Sequence, residues 1–227
     1  MIKTAKLWPA NRKNERGNAF FLVMIGVVLF GGLMFTLSRG ARQGGENISQ
    51  KQAEIAASEI LSYAQKVERG VANVMNAVSF SDQDISFEND LVSGYINPAC
   101  TSPRCEVFNS SGGSISYTRR TSNMNTGSDW LFSGENTVSG IGSGNAELLI
   151  ILNNVRSSVC SEINDRLNIT LMPTDSDGVD TTTEFIGSFN NSEQISGAAV
   201  NGLSSACILN TQPNPDEYLF YHVLRAR

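Results

Sequence analysis

Histidine is nearly missing from this chain: among 227 residues only His222 is one. A nucleophile–histidine catalytic set therefore has a single place to form, and no Ser-His-Asp or Cys-His constellation can be read elsewhere in the sequence. Cysteine is sparse too, with four residues and no CxxC pair, which argues against a four-cysteine zinc site. The glycine-rich GIGSGN, Gly140 to Asn145, lacks the lysine of a phosphate-binding P-loop. Positive charge is scarce where it would matter for nucleic acid. Beyond residue 38 there are 12 basic and 21 acidic residues, a net charge of −9, without the clustered Lys and Arg that phosphate binding needs. The last absence is the most informative: from Ala19 to Leu37 nineteen residues pass without a charge.

Nineteen apolar residues in a helix span roughly 28 Å, close to the thickness of a bilayer's hydrocarbon core. Lys3, Lys6, Arg12, Lys13 and Arg16 precede the stretch with Glu15 as the sole acid, while Arg39 and Arg42 follow it. By the positive-inside rule the N-terminus is cytoplasmic and the remainder lies across the membrane. The sequence thus predicts a basic leader over 1–17, a transmembrane helix over 18–38, a Gly-rich junction over 39–47 and an extracytoplasmic domain over 48–227, with residues 19–37 as the contact to the membrane. A cleaved secretory signal remains an alternative, although its apolar region is ordinarily shorter, about 7–15 residues.

The boundary NRKNERGNAFFLVMIG has a polar, basic leader ending in Gly17, followed at once by an apolar helix. It resembles the N-terminal region of type IV pilins and of type II secretion pseudopilins. The resemblance implies cleavage between Gly17 and Asn18 by a prepilin peptidase, a buried N-terminal helix in a filament or secretion apparatus, and other envelope or pilin-like proteins as partners. Two positions depart from the family pattern: Asn18 stands where the first mature residue is usually Phe or Met, and Leu22 where the fifth is usually Glu. The chain also resembles single-span bacterial envelope proteins that carry a long helix, a short cysteine clip and a later cysteine-bearing helix. Both likenesses imply a bacterial inner-membrane protein with its main domain in the periplasm or outside the cell, and neither implies an enzymatic activity. A plain bitopic binding or scaffold protein is the alternative, and an envelope hydrolase stands third because no nucleophile–base pair is visible.

After Gly40, Gly44 and Gly45, which predict a hinge, comes a strong helix signal. Ser49 and Gln52 form a capping box with Ile48 as a staple. Ala53, Ala57, Ile60, Ala64, Val67, Val71, Val74 and Val78 then repeat at alternating spacings of four and three. This is one apolar face of a long amphipathic helix. Small Ala and branched Val suit packing on the domain's own sheet; a coiled-coil seam is the alternative.

An even number of cysteines in an exported domain predicts two disulfides. PACTSPRC sets Cys100 and Cys105 across a Pro-containing turn, which leaves Cys160 with Cys207. The rest of the chain predicts an α+β domain, an antiparallel β-rich head with a second helix. A hairpin is expected around Glu106–Phe108 and Ser114–Arg119, turning at Gly112-Gly113. The second helix is expected over NAELLIILNNVRSSVCSEINDRL, with Leu148, Leu152, Val155, Val159 and Ile163 on one face. Strands are expected in NITLMPT, TEFIGSF, SACILN and EYLFYHVLRAR, the last putting His222 at a structural or edge position.

One acidic turn, PTDSDGVDTTTE, invites a metal reading. Aligned to a calcium loop, Asp175 and Asp177 take positions 3 and 5, Gly178 the sixth and Glu184 the twelfth, but Pro173 at the first supplies no ligand. The competing expectation is a solvated acidic turn with no cofactor.

Overall fold

The computed structural model describes the backbone of residues 16–77, 80–127, 129–197, 199–212 and 216–227, and within its first helix the side chains of 20–31 and 49–76. The chain divides into two compact units, Met1–Ser49 and Gln50–Arg227.

Helix α1 is assigned from Arg16 to Ala77. Its backbone is helical through 39–47, so the expected break at Gly40, Gly44 and Gly45 is not formed and Ser49 does not start a helix. Glycine costs a helix about 1 kcal/mol relative to alanine, a penalty that disfavours the conformation without forbidding it. Leader residues 1–15 lie outside the described residues. Gly17 and Asn18 fall in the first turn of α1, where no side chain is described. In the first unit the side chains from Phe20 to Gly31 are all exposed. Among the described residues no helix is long and apolar enough to cross a membrane, and in the expected span over 18–38 only the side chains of 20–31 are described.

In the second unit the predicted stripe is the core face of α1. Ala53, Ala57, Ile60, Ala64, Val67, Val71 and Val74 are buried, joined by Ala56 and Tyr63, and they pack in one cluster with residues of the sheet. Val78 lies outside the described residues. The expectation of packing on the domain's own sheet therefore holds.

The strands are β1 (Leu131–Ser133), β2 (Asn136–Val138), β3 (Leu148–Leu152), β4 (Thr174–Asp175), β5 (Glu193–Ile195), β6 (Ser205–Asn210) and β7 (Glu217–Arg225), with helix α2 (Ser157–Arg166) between β3 and β4. Five of them form one sheet in the order β1-β3-β7-β6-β4, and β2 pairs with β5. The domain is α+β as expected, but the sheet is mixed: β4 runs parallel to β6, and β2 parallel to β5. Leu148, Ile150, Leu152, Cys207 and Phe220 join the α1 stripe on one face of the sheet. Leu149, Ile151, Ala206, Ile208, Leu219 and Tyr221 face the other way and are covered by Val138 of β2, Ile195 of β5 and Val200.

That second cover corrects one helix expectation. Leu148 to Leu152 is not the start of a helix but a central strand buried at every residue. A strand covered on both faces loses its period-two signature and reads as a continuous apolar run. Asn154, with φ of 51°, turns the chain out of it, and only Ser157–Arg166 is helical. The expected hairpin is corrected as well. Its turn exists, with Gly113 N–H donating to Glu106 O at 3.0 Å, but the flanks pair elsewhere. Val107 N–H goes to Ser86 O, and Thr118 N–H to the Tyr63 hydroxyl. TEFIGSF is a loop whose Phe185 is buried against Phe132 and Phe189, and NITLMPT enters a strand only at its last residue, Thr174.

Candidate functional site

Both expected disulfides are formed. Cys100–Cys105 closes a five-residue step, and Cys160–Cys207 joins α2 to β6 across 47 residues. Beside the second bond, the Asn164 amide donates to Cys207 O at 2.8 Å and accepts from Cys207 N at 3.0 Å. A side chain thus takes the place of a neighbouring strand along this part of β6, leaving its backbone groups satisfied. Two disulfides point to an oxidising, non-cytoplasmic location for this domain.

The calcium alignment does not assemble. Asp175 is fully buried, and its two carboxylate oxygens accept backbone N–H groups from Ser196 and Gly178, each at 2.8 Å. Burial pushes its carboxyl up, opposed by these hydrogen bonds. Asp177 is engaged by the Ser196 hydroxyl, while the exposed Glu184 lies beside Gly94 instead. Asp175 is thus the organiser of its own loop. Among the described residues no group of three or more His, Cys, Asp or Glu side chains is placed to hold a metal.

His222 lies in β7, which is interior to the sheet, so its position is structural and not at an edge. Its Nε2 is 3.0 Å from Glu68 Oε2 of α1. Burial holds the imidazole below its ordinary value, opposed by the Glu68 carboxylate. Directly across the ladder stands Ser205. Serine, histidine and glutamate are thus neighbours, a juxtaposition that the sequence did not disclose. The Ser205 hydroxyl oxygen is buried and makes no hydrogen bond. A nucleophile must meet both its base and a substrate carbon, and this hydroxyl does neither in the present arrangement.

A groove lies between α1 and the segment 118–130, with a volume of about 470 Å³. The helix contributes Ser58, Glu59, Ser62, Tyr63 and Lys66, and the segment contributes Thr118, Arg119, Thr121, Met124 and Trp130. Tyr63 and Trp130 lie with ring centroids 5.0 Å apart at its floor. Their polar tips are already engaged: Trp130 Nε1 donates to Thr118 O at 3.0 Å, and the Tyr63 hydroxyl accepts from Thr118 N at 3.2 Å. Burial pushes the Tyr63 hydroxyl well above its ordinary value. One backbone residue thus holds both rings, and the floor is mainly aromatic surface. Lys66 makes no hydrogen bond or ion pair among the described residues, and Arg119 pairs with Asp129 at 3.7 Å while donating to Leu91 O. Sequence reasoning did not single out these residues. Nothing local says that 118–130 returns to the side of α1.

No protein-family model, no curated protein and no solved structure matches the chain.

Proposed function

We propose that this chain is a membrane-anchored, non-enzymatic structural or interaction protein of the bacterial envelope, a pilin- or pseudopilin-like subunit of a filament or secretion apparatus. Its N-terminal helix is the membrane and assembly element, and its acidic domain lies in the periplasm or beyond. The observation that carries the reading is the helical stretch Phe20–Gly31. Ten large apolar side chains there, from Phe20 to Phe30, are each at least 41% exposed. Apolar exposure on every side of a helix calls for a surrounding apolar medium, either lipid or the helices of other subunits. The disulfides and the net charge of −9 beyond residue 38 support an extracytoplasmic domain. The alternative, a plain bitopic binding protein, is favoured by the groove on α1.

Mass analysis of the N-terminus of protein taken from membranes separates the two. A mature chain beginning at Asn18, with cleavage blocked in Gly17→Val, supports the pilin-like subunit. An intact Met1 rejects pilin-type processing and leaves the plain anchor. Release of the protein into the soluble fraction without detergent rejects both.

A further inference from the structure

The groove described above continues beyond its aromatic floor. A second cavity of about 140 Å³ shares Glu59 and Thr121 with it and reaches Gln52 and Ile55. Together they follow α1 from Gln52 to Lys66, about 21 Å at 1.5 Å per residue. That is the length of roughly six residues of extended peptide. The two ends differ in chemistry. At one end lies the Tyr63–Trp130–Met124 floor, rimmed by the cations Lys66 and Arg119. At the other Ile55 stands 59% exposed. Tyr63 and Ile55 are eight residues apart on the helix, about 12 Å, the separation of side chains roughly four residues apart on an extended strand.

We propose that this groove is a docking site for an extended peptide segment of a partner protein. One apolar side chain of that segment enters the Tyr63–Trp130 pocket, an adjacent carboxylate meets Lys66 and Arg119, and a second apolar side chain, four residues away, rests on Ile55. The charge at this end selects the carboxylate: Lys66 makes no hydrogen bond or ion pair among the described residues and the Arg119 side chain is 57% exposed, whereas the groove's acid, Glu59, lies toward the second cavity that it also lines. The elongated outline selects a peptide over a compact ligand, and the adjoining rings of Tyr63 and Trp130 select an apolar side chain. The site lies wholly within the unit Gln50–Arg227, so it stands whether or not the first unit inserts in a membrane.

The test uses the full chain in detergent and the fluorescein-labelled hexapeptide acetyl-Leu-Ser-Gly-Ser-Phe-Glu-amide, read by anisotropy. Binding should weaken about tenfold when the peptide's Glu becomes Lys, and Lys66→Glu should reverse that preference, as expected for a charge contact that sets partner choice. Ser62→Trp, at an exposed position on the groove wall, should abolish binding while leaving the thermal transition in place. Binding that survives both Lys66→Glu and Ser62→Trp, binding that persists after the peptide's Phe becomes Gly, or no binding of any of these peptides would overturn the proposal.

Discussion

The two parts of α1 dispose of their apolar side chains in opposite ways. Between Phe20 and Gly31 every side chain is exposed, and an added Cβ at Gly26 or Gly31 would meet nothing within 4 Å. Between Ala53 and Val74 the residues of the predicted stripe share one face and are buried, while Ile55 stands outside it, and Gly70 is so close to Val107 and Ile115 that a Cβ would stand 2.9 Å from the Ile115 side chain. Periodicity makes the difference. A helix apolar on one face can complete a core within its own chain, whereas one apolar all round has no polar side to turn to water. The domain's own sheet is the partner of the second part; for the first, whose described side chains are all exposed, the proposed function supplies lipid or other subunits.

Matched substitutions in the two parts test this most directly. Val67→Glu puts a charge on the buried stripe and should lower the stability of the disulfide-bonded unit by several kcal/mol, read by chemical denaturation. Val27→Glu should leave that transition unmoved and reduce recovery in the membrane fraction. Equal destabilisation by the two would break the comparison.

The disulfides come next in size. Removing Cys160–Cys207 as a double alanine variant should cost about 4 kcal/mol, and removing Cys100–Cys105 about 2 kcal/mol, since stabilisation grows with the logarithm of the loop that each closes. The longer loop also ties α2 to the central sheet. Denaturation midpoints of the two variants, measured side by side, check the order; a larger loss from the short clip would contradict it.

Glycine substitutions sharpen the contrast at a smaller scale. Gly113→Ala should cost about 1–3 kcal/mol, because its Cβ would meet Val107 O and stand 2.9 Å from Gly70 O, both backbone atoms that cannot step aside. Gly26→Ala meets nothing, and should leave the folded unit unchanged while favouring the helix by up to about 1 kcal/mol. Thermal unfolding and helical content distinguish the two.

The smallest expected effect concerns pH. His222 is held below its ordinary value of 6.5 mainly by burial, so the unfolded chain binds this proton more readily. Its contribution to stability is present above pH 6.5 and is lost as pH falls from there through the folded value. Glu68→Gln removes the group that opposes the shift and should make this acid loss steeper. The change should be below about 1 kcal/mol, since Glu68 is half exposed. Unchanged slopes of the melting temperature against pH in the two proteins would show that the contact carries no coupling.

Legibility in the sequence followed the reach of each signal. The stripe from Ala53 to Val74 was legible because the helical period is local and seven positions repeat it. The disulfides were legible because four cysteines leave few pairings, and one pair sits across a Pro-containing turn. The strands around Cys207 and His222 were legible from their composition. Leu148–Leu152 was misread because burial on both faces erases the alternation that marks a strand. The strand Glu193–Ile195 was missed because its three residues carry no pattern and exist as a strand only by pairing with Asn136–Val138. Asp175 and Asp177 suggested a metal loop by spacing, and that spacing instead serves hydrogen bonds to Ser196 and Gly178.

By itself, then, the sequence determined the division of the molecule: an uncharged N-terminal stretch, a one-faced helix, and an acidic, disulfide-bearing α+β domain. Each of these rests on neighbours in the chain or on composition. Only the tertiary structure decided that the sheet is mixed, that Ser205, His222 and Glu68 are neighbours, and that Tyr63 and Trp130 share a groove. Those facts depend on contacts between residues from 17 to more than 100 positions apart. A linear pattern does not encode such contacts, which are fixed by how the buried faces of the sheet and helix fit together.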